Sequence, residues 1–305
     1  MAGTGSALTG HASDLLLNPA ATAFLQGVDA YGEYNRLDWA VEYWSSAIGV
    51  PVLPRFAFAV LSSGTRFLEG PYDGRDYQAG LSLGGLVAKW LGIGANLKYI
   101  GMDWHENGLA DPVSDGSYAV AADAGLLFRL RTRAGNPSLA LALRNLGTDM
   151  RYTTWPYYEP LPRLLSLGAA WSVTAQDFGR KWRFPSRMTW LFSREWLLNN
   201  LGMSVAYDAH RGLFRWDVLT HCAGAELRLV PFIAMRMGYF YQQQGYYTLK
   251  HSGWTWGLGL DLKFVRVDFS DDYHAPGSQP AYRFSFALNI GEPLVRPGGL
   301  FDRRD

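Results

Sequence analysis

Ten charged residues of this 305-residue chain fall in runs where polar and apolar side chains alternate: Lys98, Asp123, Glu226, Arg228, Arg236, Asp261, Lys263, Arg266, Asp268 and Arg283. Each sits on the polar face of its run, and the signs are mixed. Two chemistries suit such a set. Enclosed together, the groups would pair into a salt-bridged polar plug, because an unpaired charge in a narrow space is costly. Left partly open, they would line a path for a solute. The first is the leading expectation.

Other chemistries find little support. His105, His210, His221, His251 and His274 show no metal-ligand spacing, so no metal is expected. Asp103, Asp271 and Asp272 read as solvated loop acids. No G-x-S-x-G elbow or Ser/His/Asp order is present. Glycines such as Gly257 and Gly259 lie within a strand-like run with no helix after them, unlike a phosphate loop. The chain is therefore expected to be no enzyme and to need no cofactor. A net charge of +1 gives no footprint for nucleic acid, and the single Cys222 excludes an intramolecular disulfide framework.

Aromatic residues form a second constellation. Tyr152, Trp155, Tyr157 and Tyr158 crowd one connection beside Pro156 and Pro160; Tyr246 and Tyr247 lie in another; Trp196, Phe214 and Trp216 lie in a third. Exposed, they would anchor protein partners at little entropic cost. Folded together, they would seal a mouth or join an interfacial belt.

The elements that carry these residues have a period of two. Trp254, Trp256, Leu258, Leu260, Leu262 and Phe264 oppose Thr255, Gly257, Gly259, Asp261 and Lys263, and similar runs recur along the chain. About fourteen strands are expected, starting near residues 28, 39, 54, 76, 92, 117, 138, 163, 186, 219, 231, 253, 264 and 281. Their connections alternate between tight turns, such as KWLG at 89–92, and long loops, including the stretch from Glu195 to Trp216. The eighth connection, TAQDFGRKWRF, is longer than that pattern wants. Short turns at one end and long loops at the other are the signature of an outer-membrane β-barrel. Aromatics at 15% suit its two girdles, and no apolar run reaches the ~18 residues of a transmembrane helix. The division expected is a non-strand segment at 1–27, an all-β transmembrane antiparallel barrel at 28–291 and a periplasmic tail at 292–305. MAGTGSALTG lacks the basic start and apolar core of a secretory signal, so a mature or recombinant form is expected.

The opening segment, with Asp14 followed by Asn18, Pro19 and Ala20, resembles the N-terminal hatch of the FadL-like superfamily, with Ala21 where that family usually has Gly. GIGANLKYI, AADAGLLFRL, LALRNLG, LPRLLSLGAAW, AGAELRL, AMRMGY and WGLGLDLKFVRVDFS resemble, in order, the strand blocks of its PorV/PorQ branch. The resemblance implies a fourteen-stranded barrel with a hatch in its mouth. It also implies a non-enzymatic role in the type IX secretion machinery of Bacteroidota, binding a large secretion channel, cargo domains or attachment-complex subunits through outside loops. The chain departs from the branch in ending as GEPLVRPGGLFDRRD, with no terminal strand closing on Phe. The alternative role is a FadL-like transporter of hydrophobic small molecules, against which the charged inward faces count. A soluble β protein would need a second layer over its greasy face, and the chain has no segment to spare for one.

Overall fold

The computed structural model describes residues 4–8, 11–36, 41–69, 72–106, 113–132, 134–152, 158–177, 193–213, 218–243, 251–272 and 281–290. The first seven strands are β1 (Val28–Arg36), β2 (Val41–Leu53), β3 (Phe56–Glu69), β4 (Tyr72–Ala88), β5 (Leu91–Glu106), β6 (Val113–Arg129) and β7 (Asn136–Gly147). Two short ones follow, β8 (Met150–Tyr152) and β9 (Tyr158–Glu159). The rest are β10 (Leu164–Thr174), β11 (Gly202–Gly212), β12 (Leu219–Val230), β13 (Ile233–Gln242), β14 (His251–Asp261), β15 (Val265–Asp272) and β16 (Ala281–Ile290).

All the long strands pair antiparallel with their neighbours in sequence, β7 with β10, and β16 returns to β1. The result is a closed fourteen-stranded barrel. Closure is the physical solution for strands flanked by an apolar medium, since it leaves no edge of unpaired N–H and C=O groups. β8 continues the wall beside β6 where β7 ends, and β9 pairs with β8.

Alternation sets the two faces. Leu97, Trp254, Trp256, Leu258, Phe284 and Phe286 are 47–58% exposed on the outer wall, far more apolar surface than a water-soluble monomer presents. Ser82, Asp123, Ser166 and Asp208 on the inner wall are at most 3% exposed. Aromatics gather at two levels. Trp90 stacks on Phe128 beside the tight turns, with centroids 5.7 Å apart. Tyr77, Tyr99 and Tyr118 stack in a row nearer the long loops. From Trp90 to Tyr99, at ~3.4 Å per residue and a tilt of ~40°, the belts lie roughly 23 Å apart, close to the height of a lipid-facing band.

Thirteen of the fourteen barrel strands begin within four residues of their expected positions. The ninth does not. A strand was expected from residue 186, and residues 186–192 lie outside the described ones; the strand observed is β11, inside the stretch from Glu195 to Trp216 that was read as a loop. That stretch also holds helix α1 (Arg194–Asn199), started by Ser193, whose hydroxyl accepts the Trp196 N–H at 3.2 Å. The alternation of Met203, Val205 and Tyr207 against Ser204, Ala206 and Asp208 supplies the outward and inward faces of β11. The long connection 175–201 therefore joins β10 to β11 at the tight-turn end, and the next link, 213–218, is short.

Among the described residues no helix is long and apolar enough to cross a membrane. Met235, half-exposed on the outer face of β13 between the two aromatic levels, tests what surrounds the wall. Met235→Arg should cost about 2–4 kcal/mol of barrel stability in lipid vesicles while Met235→Leu changes little, as read by urea titration of the folded barrel.

Candidate functional site: the hatch and the lumen

Residues 4–8 and 11–27 fold back inside the barrel around two short 3-10 helices, Ala12–Leu16 and Pro19–Phe24. Asn18, fully buried, organises the turn between them. Its Oδ1 accepts the Ala20 N–H at 3.0 Å, and its Nδ2 donates to the carbonyls of Ser6 and of Leu126 on β6, at 3.0 and 3.2 Å. Pro19 occupies the first helical position, where a missing N–H costs nothing. Ala20 is fully buried. Asp14 accepts the His11 N–H at 3.2 Å; burial pushes its carboxyl above the ordinary carboxylate range, with the neighbouring His11 opposing.

The hatch lies against one side of the lumen, and glycines make room for it. A Cβ on Gly94 would overlap the Pro19 carbonyl, and one on Gly125 would overlap the Asn18 side chain. Thr22 exchanges a 2.7 Å hydrogen bond with Ser82 of β4. Leu15, Ala20, Ala21 and Phe24 pack against Ala47, Ala57, Ala59, Leu61 and Leu127 of the wall, and the small wall residues let the short helices approach closely.

Two buried carboxylates hold the rest of the segment. The N–H groups of Gly5 and Ser6 donate to Asp208 of β11 at 2.5 and 3.1 Å, and the Ser6 hydroxyl donates to it as well. Asp29 of β1 accepts the Ala12 N–H at 2.8 Å and the Asn289 amide at 3.1 Å. Charge-assisted bonds of this kind are stronger than neutral ones. Sequence reasoning missed both. The signal for Asp208 was legible in the alternation of GMSVAYDAHRG, which had been assigned to a loop; Asp29 stands alone at a strand start, and nothing near it in sequence marks it.

The charged residues fall into separate groups. Lys98 and Asp123 pair at 2.8 Å on β5 and β6, with side chains 6% and 2% exposed. Asn96 and the Asn145 N–H also donate to Asp123, at 3.0 and 2.8 Å. Asn145 takes a left-handed conformation, with φ of 60°, where the register between β6 and β7 shifts; the shift is what delivers its N–H to the carboxylate. A second network runs across β12 to β15. Arg228 bridges Glu226 at 2.8 Å and Asp261 at 3.0 Å, Arg236 bridges Glu226 at 2.6 Å and Asp268, and Arg266 reaches Asp261 at 3.4 Å. Arg283 pairs with Glu33 of β1 at 3.3 Å. Lys263 occupies the β14–β15 turn with φ of 74° at the edge of the lumen cavity, and its ammonium lies over the Phe264 ring, 4.7 Å from the centroid.

Of the aromatic anchors, Tyr152 donates its hydroxyl to Glu159 at 2.9 Å on the short ribbon, where Tyr158 is 57% exposed. Trp196 is elsewhere, on α1 beside the lumen at the tight-turn end, a correction that follows from the shifted ninth strand. Trp155, Tyr157, Phe214, Trp216, Tyr246 and Tyr247 lie outside the described residues, as does the tail 292–305.

The hatch leaves the opposite side hollow. A cavity of about 540 Å³ lies between His11 and Asp14 of the hatch and the β12–β16 wall. A second, of about 610 Å³, opens at the tight-turn mouth among Phe24, Leu53, Lys89, Arg131 and Asp177. Both are lined by Arg129, Asn136, Asn199 and Asn200, so they adjoin. Asn200 accepts from Arg228 at 2.6 Å, which ties the long connection to the second ion network.

No family model and no curated protein matches the chain. Solved structures do. CymD, a monoaromatic hydrocarbon channel, superposes with a TM-score of 0.63 at 14% identity, covering 94% of this chain and 95% of that one. The Pseudomonas putida toluene transporter TodX gives 0.62 at 13% identity over 95% and 96%. A Pseudomonas aeruginosa FadL homologue gives 0.61 at 11% over 94% and 96%. The chain thus has the FadL-like barrel fold over almost its entire length.

Two substitutions probe the site. Gly94→Val should release the hatch from a barrel that still forms, exposing residues 15–17 and 24 to chymotrypsin, whereas Gly32→Ala, with nothing within 4 Å of the added carbon, should not. Asp123→Asn leaves the Lys98 ammonium uncompensated and should cost about 3–5 kcal/mol, most of it regained by the double replacement Lys98→Met with Asp123→Leu, measured by urea unfolding.

Proposed function

We propose that the protein is a small-molecule transport barrel of the bacterial outer membrane, in which solutes pass the hatch through the lumen. One observation carries the reading: a docked hatch fills only part of the lumen and leaves adjoining cavities of about 540 and 610 Å³ that reach the tight-turn mouth. The apolar outer wall and the two aromatic levels support a membrane setting. The fold neighbours support transport, since two of them are described as a hydrocarbon channel and a toluene transporter. The cargo of those relatives would be the hydrophobic class. Purified protein in liposomes should admit small solutes above the leak of empty liposomes, and faster when residues 4–27 are deleted; rates equal to the leak in both forms would refute the reading.

A second reading keeps the barrel as a non-enzymatic scaffold of a type IX-like secretion or attachment machine, with outer-membrane lipid around it and a large secretion channel, cargo domains or attachment subunits at its outer rim. Exposed Tyr158 on the β8–β9 ribbon favours it. Pull-down from native membranes separates the two: stoichiometric recovery of a channel subunit, lost on Tyr158→Ala, supports the scaffold, and recovery of the barrel alone supports the transporter.

A further inference from the structure

We infer that the solutes this barrel passes are small hydrophilic molecules bearing both charges, of amino-acid size, screened where Arg129, His11, Asn136, Asn199, Asn200 and Asn289 surround the junction of the two cavities. The inference rests on the transport reading and deepens it.

The junction is defined by geometry. These six residues line both cavities, and they come from the hatch, from the ends of β6, β7 and β16, and from the long connection that carries α1. They are amides and bases. Several are held in place by neighbours: Asn289 donates to Asp29 at 3.1 Å, Asn136 to Asp177 at 3.3 Å, and Asn200 is bonded to Arg228 at 2.6 Å. Fixed amides offer donors and acceptors at little further entropic cost.

The larger chemistry is set by the wall above. Among the described residues, its cavity is lined by six Arg or Lys residues against six Asp or Glu residues, so their formal charges balance. Positive and negative groups alternate across β12–β15, as in the run from Arg236 to Glu226, Arg228 and Asp261 at 2.6, 2.8 and 3.0 Å. An ion of one sign meets as much repulsion as attraction on such a wall. A dipolar solute can exchange hydrogen bonds with both signs at once. A hydrocarbon can do neither, and its passage would strip water from charged groups without replacing it. The cavity contrasts with the apolar lining that a hydrophobic cargo requires, although the fold is that of hydrocarbon channels.

The test uses the full chain in liposomes, with L-serine uptake followed by osmotic swelling, toluene entry followed by fluorescence, and ion preference read from the reversal potential in a KCl gradient. Serine should enter well above the protein-free rate, toluene at the protein-free rate, and the reversal potential should stay near zero. Asn136→Leu and Asn199→Leu should each slow serine by about tenfold, in barrels whose heat-modifiable gel migration is unchanged. Arg129→Gln, which removes a positive charge from the junction, should move the reversal potential towards cations. Accelerated toluene with serine at the leak rate would leave the transport reading standing and overturn this one. No solute above leak would overturn both. A strongly ion-selective wild type, or Asn136→Leu and Asn199→Leu barrels with unaltered serine entry, would equally overturn it.

Discussion

A wall surrounded by apolar medium has no water to satisfy its backbone, and the rest of this structure follows from that constraint. Every strand must pair on both sides, so the sheet closes from β16 to β1. Closure then divides the side chains into an outer set that needs no partner and an inner set that must find its own. The ion pairs of the lumen are the inner set's answer. Glu226 serves two arginines, Asp261 serves two, and Asp123 gathers a lysine, an amide and a backbone N–H. None of these groups is tolerable alone at such burial, and together they hold the wall's polar lining in one arrangement.

The hatch and the ion network divide the lumen between them. On the β4–β6 side, glycine and alanine lower the wall so that Pro19 and Asn18 can press onto backbone. On the β12–β15 side, long charged side chains fill part of the space and leave the remainder hollow. The hatch is held at separate points on β1, β6 and β11 through Asp29, the Leu126 carbonyl and Asp208. A segment of so few residues could not stay folded by its own contacts. Its conformation belongs to the barrel.

Architecture alone does not fix what a barrel carries. Superposition over almost the full length of CymD and TodX is compatible with a lumen of different chemistry, because an inward-facing position can change its side chain without disturbing the ladder that builds the wall. Fold and lining are therefore separate properties of the chain.

Strand number, the two faces and most strand positions were legible in the sequence, because a period of two survives any register that keeps the greasy face outward. The same period put ten charged residues on polar faces, but it did not mark Asp29, Glu33 or Asp208. Partnership was not legible. Lys98 meets Asp123 diagonally across β5 and β6, a register shift between β6 and β7 adds the Asn145 N–H, and Arg228 reaches from β12 past β13 to Asp261 of β14, relations that alternation within one strand cannot carry. The ninth strand was misplaced because alternation along the chain does not say which stretch pairs, and β11, paired with β10 and β12, takes that place in the wall. Asp208 acquired its role when Gly5 and Ser6 returned to it from far away in sequence, and Asp29 when the hatch folded back and the closing strand brought Asn289 beside it. The sequence by itself determined which side chains point in and which point out; tertiary structure decided which inward groups meet and how much room they leave, because those depend on stagger between strands and on a segment packed across them.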